Sequence, residues 1–406
     1  MKRNTLARAR STVAPAANRR WSATAALLAL SLAVPLAWAD KDKKGGNSKA
    51  PDDYSQINLV SDQPGVALLQ DTNLVNAWGI SFGPTTPFWI SDNGSGLSTL
   101  YSVTNDSNGM VHVVKQGLQV VIPGDGTATG QLFDGAGTFH GDIFIFASED
   151  GTISGWRGAL GVTAETLTNR ATAVYKGITL ATNGTGKVLL AANFAENSID
   201  VYGPNGAGLS LQEQVTDPGA PAGYAPFNVQ NLDGMIFVTY AKQDAAKHDD
   251  DPGPGRGLVD VFDPMTSKFT RLATGKAAGG KLKEINSPWG LAISPSTFGK
   301  HANQLLVGNF GSGTIMSFEP DGDFDGLLES CKERPVVIDG LWGLAFGNGT
   351  KAGTPDVLFF TAGPNGESNG LFGELVLQQN DHDEGHGHGH DHDGDHDGDK
   401  GRGHDH

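Results

Sequence analysis

The chain has 406 residues, 57 of them glycine, a single cysteine and a formal net charge of −16. That acidic balance repels phosphate backbones, so nucleic acid is not an expected partner. A lone Cys331 rules out an intramolecular disulfide, and the glycines follow no Gly-X-Y period, which leaves tight turns rather than a collagen-like rod as their use.

Residues 1–39 read as an export signal. Lys2, Arg3, Arg8, Arg10, Arg19 and Arg20 make a basic region, Ala23 to Leu36 an apolar core, and Ala37-Trp38-Ala39 a small-x-small cleavage site. The apolar run falls short of the ~20 residues of a membrane span. The mature chain is therefore expected to begin at Asp40 without a transmembrane segment, to follow the general secretory route in preference to twin-arginine export, and to be periplasmic or secreted. Residues 40–53 read as a polar linker.

Next comes a strand-like segment, Ser55 to Val60, with no local partner. After it a phrase recurs: NAWGISF from Asn76, SPWGLAI from Ser287 and GLWGLAF from Gly340, with a weaker copy, APFNVQN, from Ala225. Each is an aromatic-glycine step into an alternating apolar run. Later runs repeat too, as in FWISDNGSGLSTLYSV, IFIFASEDGTISGW, VLLAANFAENSIDVY and LLVGNFGSGTIMSF. Six units of roughly 40 to 60 residues result, the period of propeller blades. Such a blade cannot bury both faces until neighbours stack on it.

The blades are placed at Asn76–Ile122, Gln131–Tyr175, Gly177–Val215, Tyr224–Leu272, Pro288–Ile338 and Leu341–Leu377, the last short of one strand that Ser55–Val60 can supply. The expected fold is all-β: a six-bladed β-propeller over residues 54–380, closed by its own N-terminal strand. Residues 381–406, rich in His, Asp and Gly and almost without apolar side chains, are expected to be disordered.

These phrases, with NLVSDQPG from Asn58, SEDGTISGW from Ser148, SPWGLAISPSTFG from Ser287 and DGLWGLAFGNG from Asp339, resemble a family of uncharacterised secreted bacterial proteins akin to NHL-repeat and TolB-like propellers. The resemblance runs from about Tyr54 to Leu377 and implies a fold, with no reaction attached. The histidine-rich tail departs from the family pattern.

In a propeller the turns entering the innermost strand, and those joining the second strand to the third, emerge on one face. Asn76, Asn228 and Asn286 are thereby expected near the channel mouth, with Asp92, Asn93, Glu149, Asp150, Asn193 and Asn309 around them. A ring of such oxygens suits calcium, and six-bladed lactonases and phosphotriesterases use a channel ion of this kind. The competing reading is local, because Asn and Asp fill turns by tolerating left-handed geometry and capping backbone groups.

The chain contains no G-x-S-x-G elbow, H-E-x-x-H, paired C-x-x-C or Walker loop. His140 is a candidate channel base or a structural histidine. Asp321 to Gly326 begins like an EF-hand loop, but its twelfth position is Lys332 where a bidentate Glu is required, so it reads as a turn in blade five. The insertion Gln243 to Gly257 joins the second and third strands of blade four and should overhang the same face as Asn76.

In the tail, His382, His386, His388, His390, His392, His396, His404 and His406 are spaced to chelate Zn²⁺, Ni²⁺ or Cu²⁺. The sequence thus points first to an exported scaffold that binds a small molecule, carbohydrate or protein and carries a metal-capturing tail. A calcium-dependent hydrolase and an envelope structural protein are the alternatives.

Overall fold

Short runs of Val, Ile, Phe and Leu punctuated by glycine turns fold here as antiparallel sheets set around an axis. The computed structural model describes residues 53–275, 284–330 and 334–378, so the leader, the linker up to residue 52, Cys331 and the tail lie outside the described residues. The chain enters as β1 (Tyr54–Ser61) and a short β2 (Leu69–Gln70). Blade one is β3 (Ala77–Ser81), β4 (Phe88–Asp92), β5 (Leu97–Asn105) and β6 (Val111–Val121); blade two is β7 (Ala128–Phe133), β8 (Phe144–Ser148), β9 (Thr152–Trp156) and β10 (Glu165–Asn169). Blade three is β11 (Tyr175–Asn183), β12 (Gly186–Asn193), β13 (Ser198–Asn205) and β14 (Gly208–Val215); blade four is β15 (Tyr224–Leu232), β16 (Met235–Lys242), β17 (Gly257–Asp263) and β18 (Lys268–Thr274).

Blade five is β19 (Pro288–Ile293), β20 (Leu305–Asn309), β21 (Ile315–Phe318) and β22 (Phe324–Leu327), so Asp321 to Gly326 does form the turn into its last strand. A small hairpin, β23 (Glu329–Ser330) and β24 (Arg334–Pro335), leads to blade six, made of β25 (Leu341–Phe346), β26 (Leu358–Ala362) and β27 (Leu371–Leu377). Its fourth strand is β1, antiparallel to β27 from Tyr54 opposite Leu377 to Ser61 opposite Leu371. The ring is therefore closed by the N-terminal strand, and β2 adds a short parallel edge outside it.

Three blade limits move from their expected places: the last strand of blade five ends at Leu327 rather than Ile338, and two limits shift near the start of the ring. Blade two begins at Ala128 rather than Gln131, and Tyr175 opens blade three. Both shifts have one cause: blade two carries Thr129, and blade three Lys176, where other inner strands carry an aromatic residue, which hid the phrase in the sequence.

The repeated aromatic-glycine step has a geometric reason. Each ladder between first and second strands slips register at the same place, at Trp78, Thr129, Lys176, Phe227, Trp289 and Trp342 in blades one to six. Such bulges re-aim a side chain. The next residue is glycine in five blades because neighbouring inner strands pass so closely there. A Cβ on Gly79 would stand 2.3 Å from the Thr129 carbonyl oxygen, and one on Gly290 2.4 Å from that of Trp342. In blade four the position is Asn228, whose side-chain amide donates to the Trp289 carbonyl at 2.8 Å.

Six apolar clusters fill the six blade-to-blade interfaces. A seventh sits on the axis and contains Trp78, Phe194, Phe227, Trp289 and Trp342 with Phe310 against it. Buried apolar area shared between blades, rather than within one, is what makes the ring a cooperative unit. No helix among the described residues is long and apolar enough to cross a membrane.

Candidate functional site: a plugged channel mouth

Three of the six inner strands are entered through a left-handed residue two positions before the tryptophan: Asn76 (φ 47°), Ser287 (φ 47°) and Gly340 (φ 66°). These turns deliver Trp78, Trp289 and Trp342 to the axis. Trp78 and Trp342 stack with centroids 3.6 Å apart, Phe310 stacks on Trp342 at 3.9 Å, and Trp289 meets both edge-on. The channel is thus plugged at this end by an aromatic layer.

Two positions of that ring are not aromatic, Thr129 and Lys176, and of these only Lys176 carries a charge. Its side chain is 1% exposed, and its ammonium is bound to the Glu149 carboxylate and, at 2.9 Å, to Asp249 Oδ1. The nitrogen lies 5.2 Å from the Trp78 ring centroid, within cation–π range. Burial disfavours its charge, but Glu149 and Asp249 outweigh that and hold its pKa above the ordinary value. Lys176 is therefore a fixed positive charge on the channel axis.

From it a continuous polar network runs round the mouth. Asn93 Nδ2 donates to Glu149 at 2.9 Å, Asn76 Nδ2 donates to Asn93 Oδ1 at 3.2 Å and to Glu367 at 2.8 Å, and Trp342 Nε1 donates to Asn76 Oδ1 at 2.9 Å. Burial pushes Glu367 above the ordinary carboxylate range, with Asn76 and Lys176 opposing. The insertion 243–257 does overhang this face. Its base is pinned by the Gly253 amide donating to Asn286 Oδ1 at 2.6 Å and by Gln243 Nε2 donating to the Phe194 carbonyl at 2.6 Å, while Asp249 reaches down to Lys176.

Of the residues expected at the mouth, Asn76, Asn93 and Glu149 are joined there, and Asn286 stands at the rim. The others are elsewhere. Asn228 lies inside β15 as an inter-blade tie. Asn193 and Asn309 end β12 and β20 fully buried; Asn193 caps its own turn by accepting from Glu196 N at 3.3 Å, while Asn309 accepts from Asn286 N at 2.9 Å and so braces the rim turn before β19 from beneath. Asp150 caps a turn by accepting from Thr152 N at 2.9 Å. Asp92 is wholly buried beside Thr99, and burial raises its carboxyl well above the usual range.

His140 sits in the turn between β7 and β8, with Nδ1 2.5 Å from Glu165 of the outermost strand, so it is not a channel base. Its neighbours Asp142 and Glu165 are bridged by Arg157, which supplies the positive charge of that cluster.

Lys176 and Glu367 are functional candidates absent from the sequence reading. Aligning all six inner strands at the ring glycine would have exposed Lys176, since YKG then stands in the place of AWG, PWG and LWG. Glu367 carries no such signal.

Beneath the aromatic layer the channel opens on the opposite face as a cup of about 590 Å³. It ends against Trp289 and the backbones of Gly130 and Gly343, and its walls carry Ile80, Phe82, Phe133, Leu180, Ile293 and Phe346 with Ser81, Gln131 and Thr179 among them.

Fold and mouth together define a six-bladed β-propeller with its channel closed at one end and a buried lysine in the plug. No family model matches the chain. Two proteins of Acanthamoeba polyphaga mimivirus, the uncharacterized proteins R648 and L690, are each 27% identical to it over 341 residues, covering 79% of this chain and 80% and 85% of their own lengths. These relatives are viral and give no support to the bacterial origin that the resemblance implies.

Among solved structures, a streptogramin B lyase is similar with a TM-score of 0.44 and 11% identity, over 80% of this chain and 97% of that one. A calcium-binding regucalcin from Agrobacterium tumefaciens scores 0.42 with 12% identity, over 75% and 91% of the two chains. Likeness at this level lends no function.

Proposed function

We propose that this chain is a binding propeller without catalysis of its own, and that its channel is not a calcium-hydrolase site. The observation that carries this reading is Lys176: its ammonium already occupies the Glu149 and Asp249 oxygens that a channel cation would need. The oxygens around it are also engaged with one another, Asn76 with Trp342, Asn93 with Asn76, and Glu149 with both Asn93 and Lys176. A divalent ion would have to displace the lysine and break those bonds, against Coulomb repulsion that a buried site screens poorly.

Glu149, His248 and Asp249 do converge within 4.8 Å, which is what favours the hydrolase alternative, but Lys176 binds two of the three. The cup on the other face has the size and the mostly apolar lining of a small-molecule pocket. The test is thermal melting of the mature chain in EDTA and across a calcium titration, because a ligand of the native state raises the midpoint. An unchanged midpoint is expected; a saturable calcium-dependent rise, with turnover of lactones or phosphotriesters, overturns the reading.

Export and metal capture by the tail complete the proposal on sequence grounds. Retention of the full chain, but not of a chain ending at Gln378, on immobilised nickel tests the tail.

A further inference from the structure

We infer that the plugged mouth is a binding site for a small carboxylate, with Asp249 as its internal stand-in on Lys176. The inference goes beyond the binding reading above and concerns the face opposite the cup. The two carboxylates on Lys176 are held very differently. Glu149 is on the turn between β8 and β9, its side chain is 10% exposed, and Asn93 donates to it, so it belongs to the ring. Asp249 is 63% exposed at the tip of the insertion.

That tip is tied mainly to itself: Asp244 N donates to the Asp249 carbonyl at 2.8 Å, and Asp244 Oδ1 accepts from His248 N at 3.0 Å. The insertion is anchored to the ring on either side of the tip, through Gln243, Asp250, Asp251 and Gly253, and none of these anchors uses the Asp249 side chain. The carboxylate can therefore swing away without disturbing a blade.

What such a movement uncovers is a lysine otherwise 1% exposed, over an indole and bonded to the Glu149 carboxylate, with the carboxyls of Asp250 and Glu367 also in its field. A buried ammonium left with fewer partners is costly, so an incoming carboxylate of the same charge is the group that best replaces Asp249. The exchange leaves the ammonium with the same two carboxylate partners and conserves the charge-assisted hydrogen bond, while Asp249 carries its charge out to solvent. A neutral ligand or a cation does not satisfy it. Occupation of Lys176 by Asp249 lowers the affinity for an outside carboxylate by the fraction of time that the seat is free.

The experiment uses the full chain with benzoate as probe and benzamide as its uncharged analogue, read by tryptophan fluorescence and by equilibrium dialysis. Asp249→Asn removes the competing charge at an exposed position and should tighten benzoate ~threefold to fivefold over the wild type, the gain that an exposed pair of at most about 1 kcal/mol allows, while Lys176→Met abolishes benzoate binding and benzamide binds none of the three proteins. Should Lys176→Met fold poorly, Asp249→Ala gives a second readout that must agree with Asp249→Asn. Equal benzoate affinity in the wild type and Asp249→Asn, equal uptake of benzamide, or no benzoate uptake by Asp249→Asn at tens of millimolar overturns the inference. Any of these without a calcium response leaves the binding reading standing, whereas a calcium-dependent rise in melting midpoint overturns that reading itself.

Discussion

Lys176→Met is the sharpest test of the mouth as a structural unit. Methionine keeps most of the lysine stem and its packing on Trp78, so the loss is chiefly electrostatic. The contact with Asp249 is to a carboxylate that is 63% exposed, and solvent screening limits such a pair to at most about 1 kcal/mol. The contact with Glu149 is another matter: with side chains 1% and 10% exposed, removing the cation strands a carboxylate, and breaking a buried pair costs about 3–5 kcal/mol. Loss of the cation–π contact adds about 0.5–1 kcal/mol.

For a ring of this size each kcal/mol corresponds to roughly 2 °C or somewhat less in melting temperature. A fall of about 5 to 10 °C is expected. The double variant Lys176→Met with Glu149→Gln should recover a substantial part of that loss, since no uncompensated charge is left behind. Melting of the four proteins of this cycle, followed by circular dichroism at low and high salt, provides the measurement. A single variant that melts with the wild type, or a double variant worse than the sum of the singles, refutes the placement of Lys176 as the counter-charge of Glu149.

Three further outcomes follow from the same structure. Deleting residues 54–62 removes β1 and exposes the apolar edge of β27, so it should lower the melting temperature far more than deleting everything after Gln378; equal midpoints would contradict the closure. Gly79→Ala places a Cβ 2.3 Å from the Thr129 carbonyl and should destabilise by about 1–3 kcal/mol, while Gly117→Ala, with nothing within 4 Å, should be neutral in the same denaturation assay.

The third concerns pH. Burial pushes the Glu374 carboxyl up to about 7 from its ordinary 4.5. The folded chain thus holds a proton that the unfolded chain releases earlier, so this contribution is full below pH 4.5 and is lost as pH rises through about 7. Glu374→Gln should flatten the decline in urea midpoint between pH 5 and 8. A slope of the same sign and comparable size is left by Asp142 and Asp260, each pushed to about 6 by burial, and by Asp92, Asp250 and Glu367, which burial also raises. An undiminished slope in the variant would show that Glu374 is not the group responsible.

The sequence by itself determined the parts of this protein that are local or repetitive. Strand alternation, the aromatic-glycine phrase and the unmatched segment at Ser55 to Val60 specify six blades and their closure, because side-chain period and turn chemistry are properties of neighbouring residues. Even the position of the insertion 243–257 over the mouth follows from which two strands it joins.

Tertiary structure decided which polar residues share the mouth. Asn76, Asn93, Glu149, Lys176, Asp249 and Glu367 come from five blades, and only ring closure sets them side by side. The register of each strand decided the rest, since a one-residue step changes the face on which a side chain lies. Asn228 therefore ties two inner strands, and Asp92 is buried within a blade interface, although both sit in runs that resemble the mouth residues in sequence. Lys176 is buried for the same reason: the bulge that aims tryptophan at the axis in three other blades aims an ammonium there in the third.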